Sequence, residues 1–202
     1  MAISRERFDS GMTVTAYKAQ MKTNQEQFAE NERKVALRPA DVEFFAGLPE
    51  PVNVLVITED WCGDALANVP VLARLAQETG KLNVRVFLRD QNLDLADQYL
   101  KEGKYRSVPV FVFFDQQMRE LGHFIERPAR ATREMADDRA RLAAEHPELT
   151  DISGSFEDMS EGTRKLVFDS LKELRARRGQ AWTEMLLDDI KTLLSNVSSA
   201  SR

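Results

Sequence analysis

Apolar positions along this chain recur first at helical spacing, then at strand spacing, then at helical spacing again. Residues 12–47 read as helical: Tyr17, Met21 and Phe28 keep one face apolar among polar neighbours. RPADVEFFAGLP (38–49) follows as a short second helix closed by Gly47 and Pro49. VNVLVI (52–57) is a continuous, β-branched apolar run, as expected of a strand covered on both faces. Leu66, Val69, Leu72, Leu75 and Ala76 then return to three- and four-residue spacing, which predicts a helix over 64–78. LNVRVFLRD (82–90) alternates Leu82, Val84, Val86 and Leu88 against Asn83, Arg85 and Phe87, the pattern of an edge strand with one wetter face. Asn92 is an N-cap for a helix over LDLADQYLKE (93–102), with Gly103 as its stop. VPVFVFFD (108–115) is a second two-sided apolar run, RELGHFIE (119–126) its hairpin partner, and a helix is expected over about 131–146.

Beyond that, the pattern predicts a helical pair. DMSE (158–161) offers an acidic cap with a glutamate three residues on, and Leu166, Val167, Leu171 and Leu174 form a stripe. Gly179 reads as its end. Trp182, Met185, Leu186, Ile190, Leu193 and Leu194 form a second stripe, spaced for packing. Three parts follow: an N-terminal helical segment over 1–49 packed on the core, an α/β core over 50–150, and a C-terminal helical extension over 151–202. Within the core the order strand, helix, strand, helix, strand, strand predicts a four-stranded mixed sheet flanked by helices.

Composition narrows the function classes. At 202 residues and 43% hydrophobic content the chain can bury one full core with a helical appendage. Its charges are mixed in sign and sum to −5, which argues against nucleic acid or an acidic lipid surface as the main partner. The densest basic run, Arg175–Arg178, precedes Gly179, where cations complement a helix C-terminus. No stretch is apolar enough to span a membrane, and MAISRERFDS lacks the apolar region of a secretory signal. A single cysteine precludes an intramolecular disulfide framework, so a reducing, cytoplasmic setting is expected.

That cysteine, Cys62, stands in TEDWCGDA (58–65), where the first core strand gives way to a helix. Free N–H groups and the dipole at a helix start favour a thiolate over a thiol of pKa about 8.5. Glu59, Asp60 and Asp64 oppose it, and the sequence leaves the net sign open. A lone cysteine is also compatible with a small buried core residue. Pro109 is the second anomaly. Proline cannot donate to a sheet ladder, yet it opens an apolar strand run, and X–Pro bonds are the common home of cis peptides. His123 and His146 are 23 positions apart and form no zinc spacing; no phosphate-binding glycine loop is present. The paired acids Glu59–Asp60, Asp137–Asp138 and Asp188–Asp189 read as solvated.

The run strand–WCGD–helix, then strand–RDQN–helix–KYRSVPVFVFF, resembles the thioredoxin superfamily over about residues 50–127, in particular bacterial members carrying TEDWCGD. There WCGPC opens the first core helix and a cis-proline precedes the third strand. The resemblance implies a sheet in the spatial order strand 2, 1, 3, 4, with the first two parallel and the last two a hairpin. For the site, it implies that Cys62 is the exposed nucleophile, that Trp61 shields one side of it, and that Gly63 and Asp64 shape the helix start. It also implies that Val108–Pro109 is a cis peptide facing the sulfur, with the Val108 backbone pairing with an incoming chain.

Three departures stand together. The family's second cysteine falls at Ala65, its buried acid at Val56, and the lysine partnering that acid near Val86. All three serve the resolving step, so their joint absence implies monothiol thiol–disulfide exchange. The mixed disulfide at Cys62 would persist until an external low-molecular-weight thiol, the one co-substrate expected and no resident cofactor, removed it. The substrate would be a disulfide, a thiol-modified protein or a small-thiol adduct. Alternatives are a sulfenic-acid sensor, a cluster bridged between two copies, and a non-catalytic thioredoxin-fold binding or adaptor module. The terminal helices offer a surface for a second copy, as a homodimer. An exposed sulfur with a lowered pKa would favour chemistry; a buried one with a raised pKa would favour the binding module.

Overall fold

The computed structural model describes residues 3–200, with side chains described through Ser195. Its elements are α1 (Arg5–Asp9), α2 (Val14–Gln20), α3 (Gln25–Lys34), α4 (Pro39–Ala46), β1 (Val52–Thr58), α5 (Gly63–Thr79), β2 (Leu82–Leu88), α6 (Leu93–Ala96), β3 (Val110–Phe114), β4 (Glu120–Ile125), α7 (Ala129–Glu145) and α8 (Glu161–Ala200). The chain divides into two compact units. One runs through Arg127 and takes in the chain from Leu186 onward; the other is Pro128–Met185. The boundaries expected from periodicity, at 49/50 and 150/151, do not coincide with this division.

The larger unit is built on one sheet in the order β2-β1-β3-β4. β1 runs parallel to β2, with Val52 opposite Leu82 and Thr58 opposite Leu88. It runs antiparallel to β3, which forms the hairpin with β4. Every residue of β1 and β3 is buried, as their mostly apolar runs require, and the buried Asn53 of β1 donates to Asp115 O at 2.9 Å. Phe111, Phe113, Leu55, Ile57, Leu72 and Leu75 form the centre of the core, joined by Phe8, Tyr17, Phe28 and Phe45 from the N-terminal helices and by Leu186, Leu187 and Ile190. The unit is thus an α/β thioredoxin-like sheet flanked by helices, with additional helices at both chain ends.

Pro70 lies inside α5 and cannot donate to the Leu66 carbonyl one turn back. That orphaned oxygen instead accepts from Asn31 Nδ2 of α3 at 2.8 Å, so the proline becomes the place where α3 is tied on. Gly80, in the left-handed conformation at φ 63°, ends the helix by donating to Ala76 O.

Three elements differ from the periodicity reading. Residues 12–34 form two helices, not one: the carboxylate of Asp60 accepts from the Lys22 and Thr23 N–H groups at 2.7 and 3.2 Å, satisfying donors that a continuing helix would need. The helix expected over 93–102 stops at Ala96. The chain then tightens into i→i−3 turns that bury Tyr99. Tyr99 packs its ring edge-on against His123 and donates its hydroxyl to Glu120 at 3.1 Å. Helix α8 continues straight through Gly179.

The reason for that continuity lies in the smaller unit. Glu134 of α7 accepts from Arg178 through Nε and a terminal nitrogen at 2.8 and 2.9 Å, and from Trp182 Nε1 at 2.7 Å. One carboxylate therefore holds α8 on both sides of Gly179, offsetting the roughly 1 kcal/mol that a mid-helix glycine costs. The Arg178 hydrogen bonds, with help from Trp182, pull the Glu134 pKa down to about 2. The contribution is full above the ordinary glutamate value near 4.5 and is lost as pH falls from there towards 2. Glu134→Gln is expected to lower the urea midpoint, followed by Trp182 fluorescence, at pH 7, and the gap from the parent should close across that acid window. The same unit buries Asp138, which accepts from Ser170 Oγ at 2.6 Å and Arg141 at 2.9 Å; it is not the solvated acid the sequence suggested.

Candidate functional site

Cys62 is the N-cap of α5, with extended backbone at φ −79° and ψ 121°. β1 ends at Thr58, and the four residues between strand and helix place the sulfur at the open end of the sheet. The first helical residue is Gly63. The Val108–Pro109 bond, immediately before β3, is cis. Its carbonyl faces the cysteine: the Cys62 thiol donates to Val108 O at 3.2 Å. The antiparallel pairing of β1 with β3, Ile57 opposite Val110, brings the two chain segments to the same level. In this structure Val108 O is thus the thiol's own acceptor.

Cys62 is only 8% exposed, so the sulfur is buried against the Val108 carbonyl and is not the exposed nucleophile that the resemblance implied. Burial pushes its thiol pKa up. The Ala65 and Asp64 N–H groups and the Arg127 guanidinium work the other way, the Asp64 carboxylate adds to burial, and the net shift is upward. No cap hydrogen bond to the sulfur is made in the thiol form; the N–H groups at the helix start are the donors that a thiolate would engage.

The acids of TEDWCGDA are fixed rather than solvated. Glu59 is buried and accepts from the Asp90 N–H at 2.8 Å; burial raises its pKa. Burial would also raise Asp60, but hydrogen bonds from Thr23 and Lys22 outweigh it and leave its pKa lowered. Asp64 pairs with Arg127, which follows β4. Burial pushes the hydroxyl pKa of Tyr17 on α2 up to about 12, with smaller upward contributions from Asp60, Glu59 and Cys62.

Trp61 is 52% exposed, with the Arg89 guanidinium 5.1 Å from its ring centroid. It forms one wall of a groove of about 830 Å³ that also includes Cys62, Asp64, Leu93, Tyr105 and Val108. Leu93 and Tyr105, like Trp61, are exposed apolar side chains, so this groove gathers apolar surface that the fold does not otherwise use. Arg106 and Asp97 pair along its rim at 2.5 Å.

Cys62, Trp61, Asp64 and Val108 are brought together at this groove, with Gly63 at the helix start and Pro109 in the cis bond. His123 is not part of it: its Nδ1 lies 2.8 Å from Glu120 Oε1 on β4. Sequence reasoning missed Arg127 and Tyr17. Arg127 had a detectable signal, because hairpin register pairs Ile125 with Val110 and so returns the next residues to the level of Pro109. Tyr17 had none, since only the tertiary path of α2 brings it there. Among the described residues no group of three His, Cys, Asp or Glu side chains is placed to hold a metal ion, and no helix is long and apolar enough to cross a membrane.

Comparison with known proteins agrees with this geometry. Over 95–98% of the chain and 96–99% of theirs, the fold is similar to that of a protein of unknown function from Pseudomonas aeruginosa (TM-score 0.65, 18% identity) and of an HIV epitope-scaffold (TM-score 0.64, 17% identity). No curated protein sequence matches. A family model described as Thioredoxin matches residues 11–141, from the N-terminal helices through the sheet and into α7. With its cysteine at the start of α5 and a cis-proline opening β3, this chain belongs to the thioredoxin family.

Proposed function

We propose that the protein carries out monothiol thiol–disulfide exchange at Cys62. The observation that supports this reading best is the sulfur's setting: an N-cap position beside the Val108 carbonyl, on the wall of a groove with exposed Trp61, Leu93 and Tyr105. The Cys62 thiolate would attack one sulfur of a disulfide held in the groove. A new S–S bond forms to that half, the old bond breaks, and the other half departs as a thiolate that takes up the proton Cys62 released to solvent. Ala65 offers no resolving sulfur. A low-molecular-weight thiol must therefore attack the adduct, leaving as a disulfide with the bound half and freeing Cys62. Electrons balance as exchange between disulfides.

A second reading draws on a specific observation. The sulfur is buried and its pKa raised, so the resting group is a thiol. That favours a non-catalytic module whose groove holds an extended peptide. The first reading is preferred because Cys62 caps α5, where the first-turn N–H groups have no intrahelical partner and can meet charge developing on the sulfur, and because it lines the groove.

Incubation with a small disulfide, followed by intact mass, separates the two. Exchange predicts one adduct on Cys62, released by added small thiol, formed faster at pH 7 than on a free cysteine peptide. Its rate should keep rising above the ordinary thiol range, because the raised pKa moves ionisation to higher pH. A rate no greater than the peptide's would end the catalytic reading and leave the binding module.

A further inference from the structure

The turn after β4 is fixed from several sides. Glu126 adopts φ 63°, a left-handed conformation uncommon for a residue with a side chain. Its N–H donates to Pro109 O at 2.7 Å, its carbonyl accepts from Asn68 Nδ2 at 2.7 Å, and its carboxylate takes Lys101 Nζ at 2.8 Å. Asn68 is buried and lies one turn beyond Asp64 on α5, so the same helix face holds both ends of the turn. This clamp delivers the next residue, Arg127, to the Asp64 carboxylate, which is itself two residues from the sulfur. Both side chains of the pair are mostly covered, and Arg127 also meets Glu126 Oε2 at 3.4 Å. Its Nε is buried without a hydrogen-bond partner, so the guanidinium keeps a donor in reserve.

An unneutralised Asp64 would set a second negative charge beside a Cys62 thiolate. We propose that Arg127 is a positioning residue for Cys62, holding the Asp64 carboxylate in the resting thiol form and standing as countercharge when the sulfur carries the negative charge, on attack and again on release from the adduct. This rests on Cys62 acting as a nucleophile. Of the other charged or titratable groups, Glu59 is held by the Asp90 N–H, Asp60 by Lys22 and Thr23, Glu126 is shared between Lys101 at 2.8 Å and Arg127 at 3.4 Å, and Tyr17 stays neutral through burial. Arg89 and Asp90 pair with each other.

The test is the pH profile of Cys62 ionisation, read both by thiolate ultraviolet absorbance, which needs no reagent access, and by iodoacetamide alkylation. Asp64→Asn removes the negative charge nearest the sulfur and leaves Arg127 opposed only by the more distant Glu126 carboxylate, and should speed alkylation at pH 7 about tenfold, one pKa unit's worth. Arg127→Gln should slow it by a similar factor, Arg127→Lys should restore most of the loss, and the double variant should fall between the single ones. Profiles unchanged within about twofold, or shifts of the same sign for Asp64→Asn and Arg127→Gln, would overturn the proposal. Should Arg127→Gln fail to fold, Asp64→Asn and Arg127→Lys decide it alone. The readout is independent of turnover: a parent protein that never forms a mixed disulfide refutes exchange, while the ionisation shifts still report on the pair.

Discussion

Cys62→Ser should abolish adduct formation and reduce exchange to the rate of the same thiols without protein. The variant should nonetheless be as stable as the parent or slightly more so. Serine is among the preferred N-cap residues, accepting from the free N–H groups of the first turn, and a good cap contributes about 1 kcal/mol. The extended backbone already present at position 62 suits that role, and the hydroxyl can donate to Val108 O in place of the thiol. Intact mass after disulfide treatment and a urea melt together check this. Retained exchange in the serine variant would remove Cys62 from the chemistry. A loss of stability of more than about 1 kcal/mol would show that the cysteine's packing, not its cap geometry, is what the site depends on.

The second large effect lies far from the sulfur. Asp41→Asn should destabilise the protein by about 2 kcal/mol or more at pH 7. Asp41 is fully buried near the start of α4 and accepts from Arg38 through two nitrogens at 2.7 and 2.8 Å and from Lys191 at 2.6 Å. Asp188 bridges the same two cations at 2.6 and 2.8 Å, which ties α4 to the C-terminal part of α8 within one unit. An amide would leave Arg38 and Lys191 sharing one half-exposed carboxylate, and would turn donors toward them. Burial alone would raise the Asp41 pKa, but the hydrogen bonds from Arg38 and Lys191 outweigh it and leave it lowered. The network's contribution is therefore present above the ordinary aspartate pKa near 4 and fades as pH falls through the lowered folded value. Urea midpoints should differ most between parent and variant at neutral pH and converge in acid. A gap independent of pH would mean that Asp41 acts through packing rather than charge.

The sheet was the most legible part of the chain. VNVLVI and VPVFVFFD are strands buried on both faces, and a continuous apolar run has few other homes in a chain of this size. Strand order came with the resemblance to the thioredoxin superfamily, and the sheet has that order. What escaped was long-range polar structure. Asp60, Asp138 and Asp188 sit in polar sequence and look solvated there, yet each is held by partners distant in sequence. The break at residues 21–24, the early stop of α6 at Ala96 and the passage of α8 through Gly179 all turn on such contacts rather than on local propensity. At the site, Cys62, Trp61 and Pro109 were readable because the motif is contiguous. Burial of the sulfur was one of two readings open for a lone cysteine, and what decides it, the approach of the Val108 carbonyl, is a tertiary contact. Arg127 could be reached only through hairpin register, which returns the residues after Ile125 to the level of Pro109 and the first core helix.

The Asp60 clamp bears on where a minimal active chain could begin. Its carboxylate takes the Lys22 and Thr23 N–H groups and the Thr23 hydroxyl, while its carbonyl accepts from Asn24 Nδ2 at 2.9 Å. The residue two before the cysteine is thus held by a tripeptide nearly forty positions upstream. A truncation that kept the whole sheet but started at residue 50 would preserve every strand and lose all four of these bonds. The short loop carrying Trp61 and Cys62 would then be free to fray at the moment it must hold the sulfur still. The N-terminal helices, which read from sequence as an appendage to the core, are in this sense part of the nucleophile's mounting.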